Sequence, residues 1–254
     1  MNIILDISII FTQQPLFKPK RNFCGINMNK RNYNLNYLKD SKKIAKKNYD
    51  RLSRWYDLLA EHDEGVLREK GLEILGAVSG ETILELGFGT GHGILDLAKA
   101  VDSSGKVYGI DISEGMYDVA MDRLSKAGFK NRVELTLGDA ERLPYSDQFF
   151  DAIFMSFTLE LFDENDIPIV LNECKRVLKD DGRMSVVALL RKKETNLMVK
   201  MYEWAHEKFP EIIDCKPIFV LEFLKAAGFK IQKSIEMSMW GLPVEIVLVK
   251  KSLI

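Results

Sequence analysis

Residues Glu81 to Gly93 read ETILELGFGTGHG. A short apolar run, Thr82 to Leu86, is followed by glycine at positions 87, 89, 91 and 93. A run of that length, bounded by Gly80 and Gly87, predicts a buried strand. Glycines directly after a strand supply tight turns and let the main chain touch a ligand. In an open parallel sheet ligands sit beyond the carboxyl ends of the strands. The stretch therefore predicts a binding loop leading into a helix, Ile94 to Ala100, whose first amides face the same site. A glycine-rich turn without a ligand is the alternative, but four glycines cost conformational entropy that a bare turn need not lose.

Outward from this loop the pattern repeats. Lys106–Asp111, Arg132–Leu137, Asp151–Ser156 and Arg183–Leu189 read as strands, with helices over Glu114–Ala127 and Ile167–Leu178, the latter stopped by Asp180-Asp181-Gly182. Strands alternating with helices predict a mostly parallel α/β sheet with helices on both faces. Helices are expected over Asn196–Phe209 and Val220–Ala227. Two strands then follow, Phe229–Met237 and Val244–Lys250, joined by SMWGLP. Successive strands without a crossover helix imply an antiparallel pair at the sheet edge.

The chain has 254 residues, 46% hydrophobic and 29% charged, with a formal net charge of -1. That length suits one domain with an appendage, and that charge argues against a general affinity for nucleic acid. Cys24, Cys174 and Cys215 are far apart, with no metal-ligand spacing and no disulfide framework, so a reducing, cytoplasmic setting is expected. No run is long enough to span a membrane. Met1–Phe11 has no basic start and reads as something other than a signal peptide. Residues 1–38 are expected to be an extension, and 39–254 the main domain. A helical cover is expected over 39–76 and lid helices over 194–224.

Two carboxylates follow the next strands. Asp111 ends the second strand, where such a residue accepts hydrogen bonds from the hydroxyls of a ribose. Asp139 follows the third and can receive an exocyclic amine of adenine, with the Ala140 amide beside it. The glycines run G-F-G-T-G-H-G, so the third glycine of G-x-G-x-x-G is out of place and the lysine of a phosphate-binding loop is missing. This spacing argues against a dinucleotide dehydrogenase.

ILELGFGTGHG, with Asp111 and Asp139 beyond successive strands, resembles the class I S-adenosylmethionine-dependent methyltransferases. The branch it resembles includes the ubiquinone/menaquinone C-methyltransferases and small-molecule methyltransferases. The resemblance covers about Tyr49 to Lys250. It implies a Rossmann-like seven-stranded sheet of order 3-2-1-4-5-7-6 with strand 7 antiparallel, and S-adenosyl-L-methionine as cofactor. Glu85 would organise the loop near the methionine amino group. Gly87, Gly89 and Gly91 would lie against the methionine and ribose, with Asp111 on the ribose. Ile112 and Met116 would flank the adenine, Asp139 and Ala140 its edge. Ser156 would approach the methionyl group. Tyr49 and Tyr56 resemble tyrosines of a helix that closes over the site.

Methyl transfer from a sulfonium needs alignment and water exclusion more than acid-base chemistry. Glu160, in MSFTLELFDE, stands where relatives often carry a histidine, and it is the first candidate on the acceptor side. His206, in EWAHEKF on the expected lid, is the second. Aromatic residues around the lid point to a small, largely apolar acceptor: a metabolite, a quinone-like molecule or a lipid. A lipid would bring the Lys39–Lys47 run to a membrane surface. A protein methyltransferase and a non-catalytic cofactor-binding subunit are the alternatives. No metal site is expected.

Overall fold

The computed structural model describes residues 61–192 and 216–251. Helix α1 (Glu61–Leu75) is followed by β1 (Thr82–Leu86), α2 (His92–Ala100), β2 (Lys106–Asp111), α3 (Glu114–Ala127) and β3 (Val133–Leu137). Then come β4 (Phe150–Ser156), α4 (Ile167–Val177), β5 (Leu178–Leu189), α5 (Val220–Ala226), β6 (Phe229–Met239) and β7 (Leu242–Lys251). The seven strands form one sheet, ordered β3-β2-β1-β4-β5-β7-β6. The first five run parallel, and β7 is antiparallel to both β5 and β6.

Local chemistry explains the boundaries. Ser113 caps α3 by accepting the Met116 amide at 3.2 Å. Gly128, at φ 76°, ends the same helix in the left-handed conformation that glycine adopts most easily. Strand β1 lies between β2 and β4, and Ile83, Leu84 and Leu86 are fully buried. Leu84 and Leu86 share a core with Val170, Leu171 and Cys174 of α4 and Leu224 of α5. Ile83 belongs to the opposite face, with Leu67 and Leu75 of α1, Ile94 and Leu97 of α2 and Leu124 of α3. Truncating any of these three β1 side chains to alanine should cost about 2–5 kcal/mol.

Two expected boundaries differ. The Asp180-Asp181-Gly182 stop is a bulged lead-in to β5. Leu178 pairs with Phe150 and Arg183 with Ala152, so the extra residues bow out of the ladder. The hairpin is tighter than a six-residue connection. Its turn is Trp240-Gly241 alone, with both residues at positive φ (52° and 83°), as a two-residue primed turn requires. Trp240 is 55% exposed at the tip.

Helix α1 is built into the sheet. Gly71 lets it approach so closely that a Cβ there would stand 2.5 Å from Val187 and 3.0 Å from Phe154. The buried Ser185 hydroxyl donates to the Gly71 carbonyl at 2.9 Å. Arg183 caps the helix end, donating to the carbonyls of Leu75 and Gly76 and pairing with Glu81. Residues 61–75, the described part of the expected cover, are thus a packed helix. In the expected lid, the described Val220 and Leu224 are fully buried. The rest of both segments, and the extension 1–38, lie outside the described residues.

Candidate active site

The cleft opens at the carboxyl ends of β1, β2 and β4, and its glycines serve different ends. Gly87, Gly89 and Gly91 all have positive φ, at 65°, 50° and 84°. A Cβ on Gly87 would meet Thr158 at 2.4 Å, one on Gly91 would meet Ala120 of α3 at 2.8 Å, and one on Gly93 would meet Glu85 Oε1 at 2.2 Å. Only at Gly89, of these four, would it find nothing within 4 Å. Three glycines therefore let neighbouring elements close up, and Gly89 presents bare main chain to the cleft.

The loop is fastened on three sides. The Gly89 amide donates to Asp111 Oδ2 at 2.9 Å, and the Ser113 amide to Asp111 Oδ1 at 2.9 Å. The Thr158 hydroxyl lies 3.1 Å from the carbonyl oxygens of Leu86 and Ser156, joining the turns after β1 and β4. Arg123 of α3 donates to the Thr90 carbonyl at 2.8 Å and meets His92 Nδ1 at 3.2 Å. Phe157 turns at φ 52°, a conformation that side chains rarely adopt and that is concentrated at functional sites.

Glu85 is the electrostatic centre. It is 3% exposed, and its Oε2 has no hydrogen-bond partner among the described residues. Burial, which disfavours the charged form, holds its carboxyl well above the usual range; Arg68 opposes this, and Asp96 and Asp111 add to it. A buried carboxylate oxygen without a partner, on a residue that lines a cleft, is a receptor for a cation or a donor.

Most expected residues meet here. Glu85, Gly87, Gly89, Asp111, Ile112, Met116, Asp139, Ala140 and Ser156 all line the cleft. Asp139 accepts the Glu141 amide at 3.1 Å, which shapes the turn beside Ala140. Ile112 is 37% exposed at the cleft wall. Gly91 is set apart, packed on Ala120. Glu160 is also set apart: it is 2% exposed, and its Oε1 accepts the Leu189 amide at 3.0 Å at the end of β5. Tyr49, Tyr56 and His206 lie outside the described residues. Arg68, Thr158 and Leu161 line the cleft and were not expected there. Only Thr158 had a sequence signal, its place just after the fourth strand.

Residues 83–182 match the family model of a methyltransferase domain. A demethylmenaquinone methyltransferase of Staphylococcus aureus (strain MRSA252) is 34% identical over 183 residues, 72% of this chain and 69% of that one. The chain belongs to the class I S-adenosylmethionine-dependent methyltransferases. A second demethylmenaquinone methyltransferase, from Lactobacillus johnsonii, is 33% identical over 163 residues. That match spans 64% of each chain, just under two thirds of the relative's length. A methyltransferase structure from Aquifex aeolicus, described as SAM-dependent, superposes with a TM-score of 0.55 at 27% identity, covering 83% of this chain and 97% of that one. The cofactor of the family is S-adenosyl-L-methionine, and the site fits it. The unsatisfied Glu85 oxygen suits an ammonium group, bare Gly89 suits close approach, and Asp111 can face a ribose.

Proposed function

We propose that this protein transfers the methyl group of S-adenosyl-L-methionine to a small, quinone-like, largely apolar acceptor. The observation that carries the cofactor side is the junction of Gly89, Asp111 and Glu85, with its unsatisfied oxygen, in the lining of one cleft. The acceptor class is supported by the two demethylmenaquinone methyltransferases and by the apolar wall that Phe157, Leu161 and Phe162 add beyond β4. Leu161 is 38% exposed there, an apolar surface suited to an apolar ligand.

When bound, the cofactor supplies an activated methyl group. What this chain supplies is placement: reaction rates depend on holding the reacting atoms in line. Asp111 fixes the loop that carries Gly89, and Thr158 fixes the turn after β4 against it. The two turns that meet cofactor and acceptor are thereby one unit. Glu160 serves as a positioning residue, tying the turn after β4 to the end of β5. An apolar acceptor would also place the protein at a membrane surface, through the Lys39–Lys47 run. Among the described residues, no helix is long and apolar enough to cross a membrane.

Labelled S-adenosylmethionine, incubated with the protein and a prenylated demethylnaphthoquinol, tests this reading. Label in the extracted quinone is expected. Label recovered only in protein or in water-soluble metabolites, when a cell extract is offered as well, would contradict the acceptor class.

A further inference from the structure

The connection from β3 to β4, residues 138–149, contains no α-helix, although a parallel crossover usually carries one. A helix satisfies its own backbone groups, whereas an irregular stretch packed on a sheet must find partners elsewhere. Here they come from α4. Glu173 Oε2 accepts the Leu143 amide at 2.9 Å. Arg176, on the next turn of the helix, donates to the Leu143 carbonyl at 3.0 Å and to the Tyr145 carbonyl at 2.8 Å. The two side chains also hold each other, Arg176 Nε to Glu173 Oε1 at 2.8 Å and Nη2 to Oε2 at 2.7 Å. A two-pronged pair of this kind fixes direction as well as distance. The Arg176 guanidinium holds the Glu173 carboxyl below the usual carboxylate range, so it is charged at neutral pH.

Leu143 is buried, and its amide and carbonyl are thus both held from α4. The Tyr145 ring stands edge-on to Tyr108 and Phe150, with centroids 5.7 and 4.9 Å away. Just upstream is the turn that enters the cleft, where Asp139, Ala140 and Glu141 are part of the lining. The Gly138 amide donates to the Asp111 carbonyl at 2.9 Å, and the Asp139 carbonyl accepts the Arg142 amide at 3.1 Å. The turn is therefore tied to β2 in front and to α4 behind. Neither Glu173 nor Arg176 lines the cleft, so they act on it through Leu143.

We propose that Arg176, together with Glu173, is a positioning residue for recognition of the cofactor's base. It sets where Asp139 and the Ala140 amide stand, and so how strongly the cleft prefers adenine to hypoxanthine. The proposal rests on the cofactor reading above. Hypoxanthine reverses both edge contacts: its oxygen meets the Asp139 carboxylate where adenine offers an amine, and its ring N–H meets the Ala140 amide where adenine offers a bare nitrogen. Such a mismatch discriminates only while the turn is held in place.

The test compares S-adenosylhomocysteine with S-inosylhomocysteine by calorimetry, on wild type and on variants whose fold is checked by circular dichroism. Wild type should bind the adenosyl ligand about tenfold or more tightly, the scale of hydrogen bonds to a charged group. Arg176→Met should shrink this ratio by weakening the adenosyl ligand more than the inosyl one. Arg176→Lys keeps the charge but cannot span both carbonyls and Glu173, so its ratio should fall between the two. Equal wild-type affinity for the two ligands would overturn the proposal without needing any variant to fold, and would leave the cofactor reading standing. An unchanged ratio in Arg176→Met, even with both affinities lowered, would also overturn it and show a merely structural role. Should that variant not fold, a wild-type ratio in Arg176→Lys would overturn it instead. No binding of either ligand by wild type would sink the cofactor reading and this proposal with it.

Discussion

The amide of Gly89 donates to the carboxylate of Asp111 across 2.9 Å, which ties the turn after β1 to the end of β2. One carboxylate thus shapes the loop and faces the cleft that the loop lines. Asp111→Ala should weaken S-adenosylhomocysteine binding by roughly 1.5–3 kcal/mol, the range for hydrogen bonds to a charged group. Calorimetry reads this directly, and an unchanged affinity would remove Asp111 from the site.

The glycines should separate by experiment. Gly89→Val places a branched side chain where the cleft is open, so binding should be lost while circular dichroism shows the fold retained. Gly91→Val drives a side chain into Ala120 of α3, so its chief effect should be on stability. Overpacking of this kind costs about 1–3 kcal/mol, in addition to the cost of a positive φ. Binding retained by Gly89→Val would mean that the loop faces elsewhere.

Glu85 links function to stability. Its folded-state pKa is raised by burial, so the stability it contributes is complete below the unfolded-state value. That contribution is lost as pH rises through the folded-state value. Glu85→Gln removes the burden of a buried charge. The ligand-free variant should therefore melt above wild type at neutral pH, and the gap should narrow toward pH 4. A gain of 1 kcal/mol corresponds to about 2–4 °C in a domain of this size. The same variant should lose the thermal shift that S-adenosylhomocysteine gives to wild type. A variant that melts lower at neutral pH, or that keeps the shift, would contradict this account.

Glu160 holds the Leu189 amide, which a glutamine oxygen can also accept. Glu160→Gln should keep most of the methyl-transfer rate with an unaltered pH profile, whereas Glu160→Ala should lower the melting temperature. A large rate loss in Glu160→Gln, with its fold intact and its pH profile changed, would make the carboxylate a proton acceptor instead.

Features set by local punctuation were legible in the sequence. Strands Thr82–Leu86 and Lys106–Asp111 and the helix Glu114–Ala127 match their expected bounds, because glycines and a serine cap mark their ends. The strand order followed from the family resemblance carried by the loop. Features set by distant partners were not legible. Gly91 looked like a ligand glycine, but its neighbour is Ala120, on another helix. Glu160 looked like a cleft residue, but the Leu189 amide draws it to β5. Arg68 belongs to no motif, and only the packing of Gly71 onto β4 and β5 puts it over Glu85's cleft. Asp180-Asp181-Gly182 has the composition of a turn and forms a bulge instead.

The central claim is that this cleft is built for an S-adenosyl cofactor, and a calorimetric titration tests it most directly. Purified protein should bind S-adenosylhomocysteine at a single site and show no measurable heat with NAD. Binding of NAD in preference to S-adenosylhomocysteine would contradict the account.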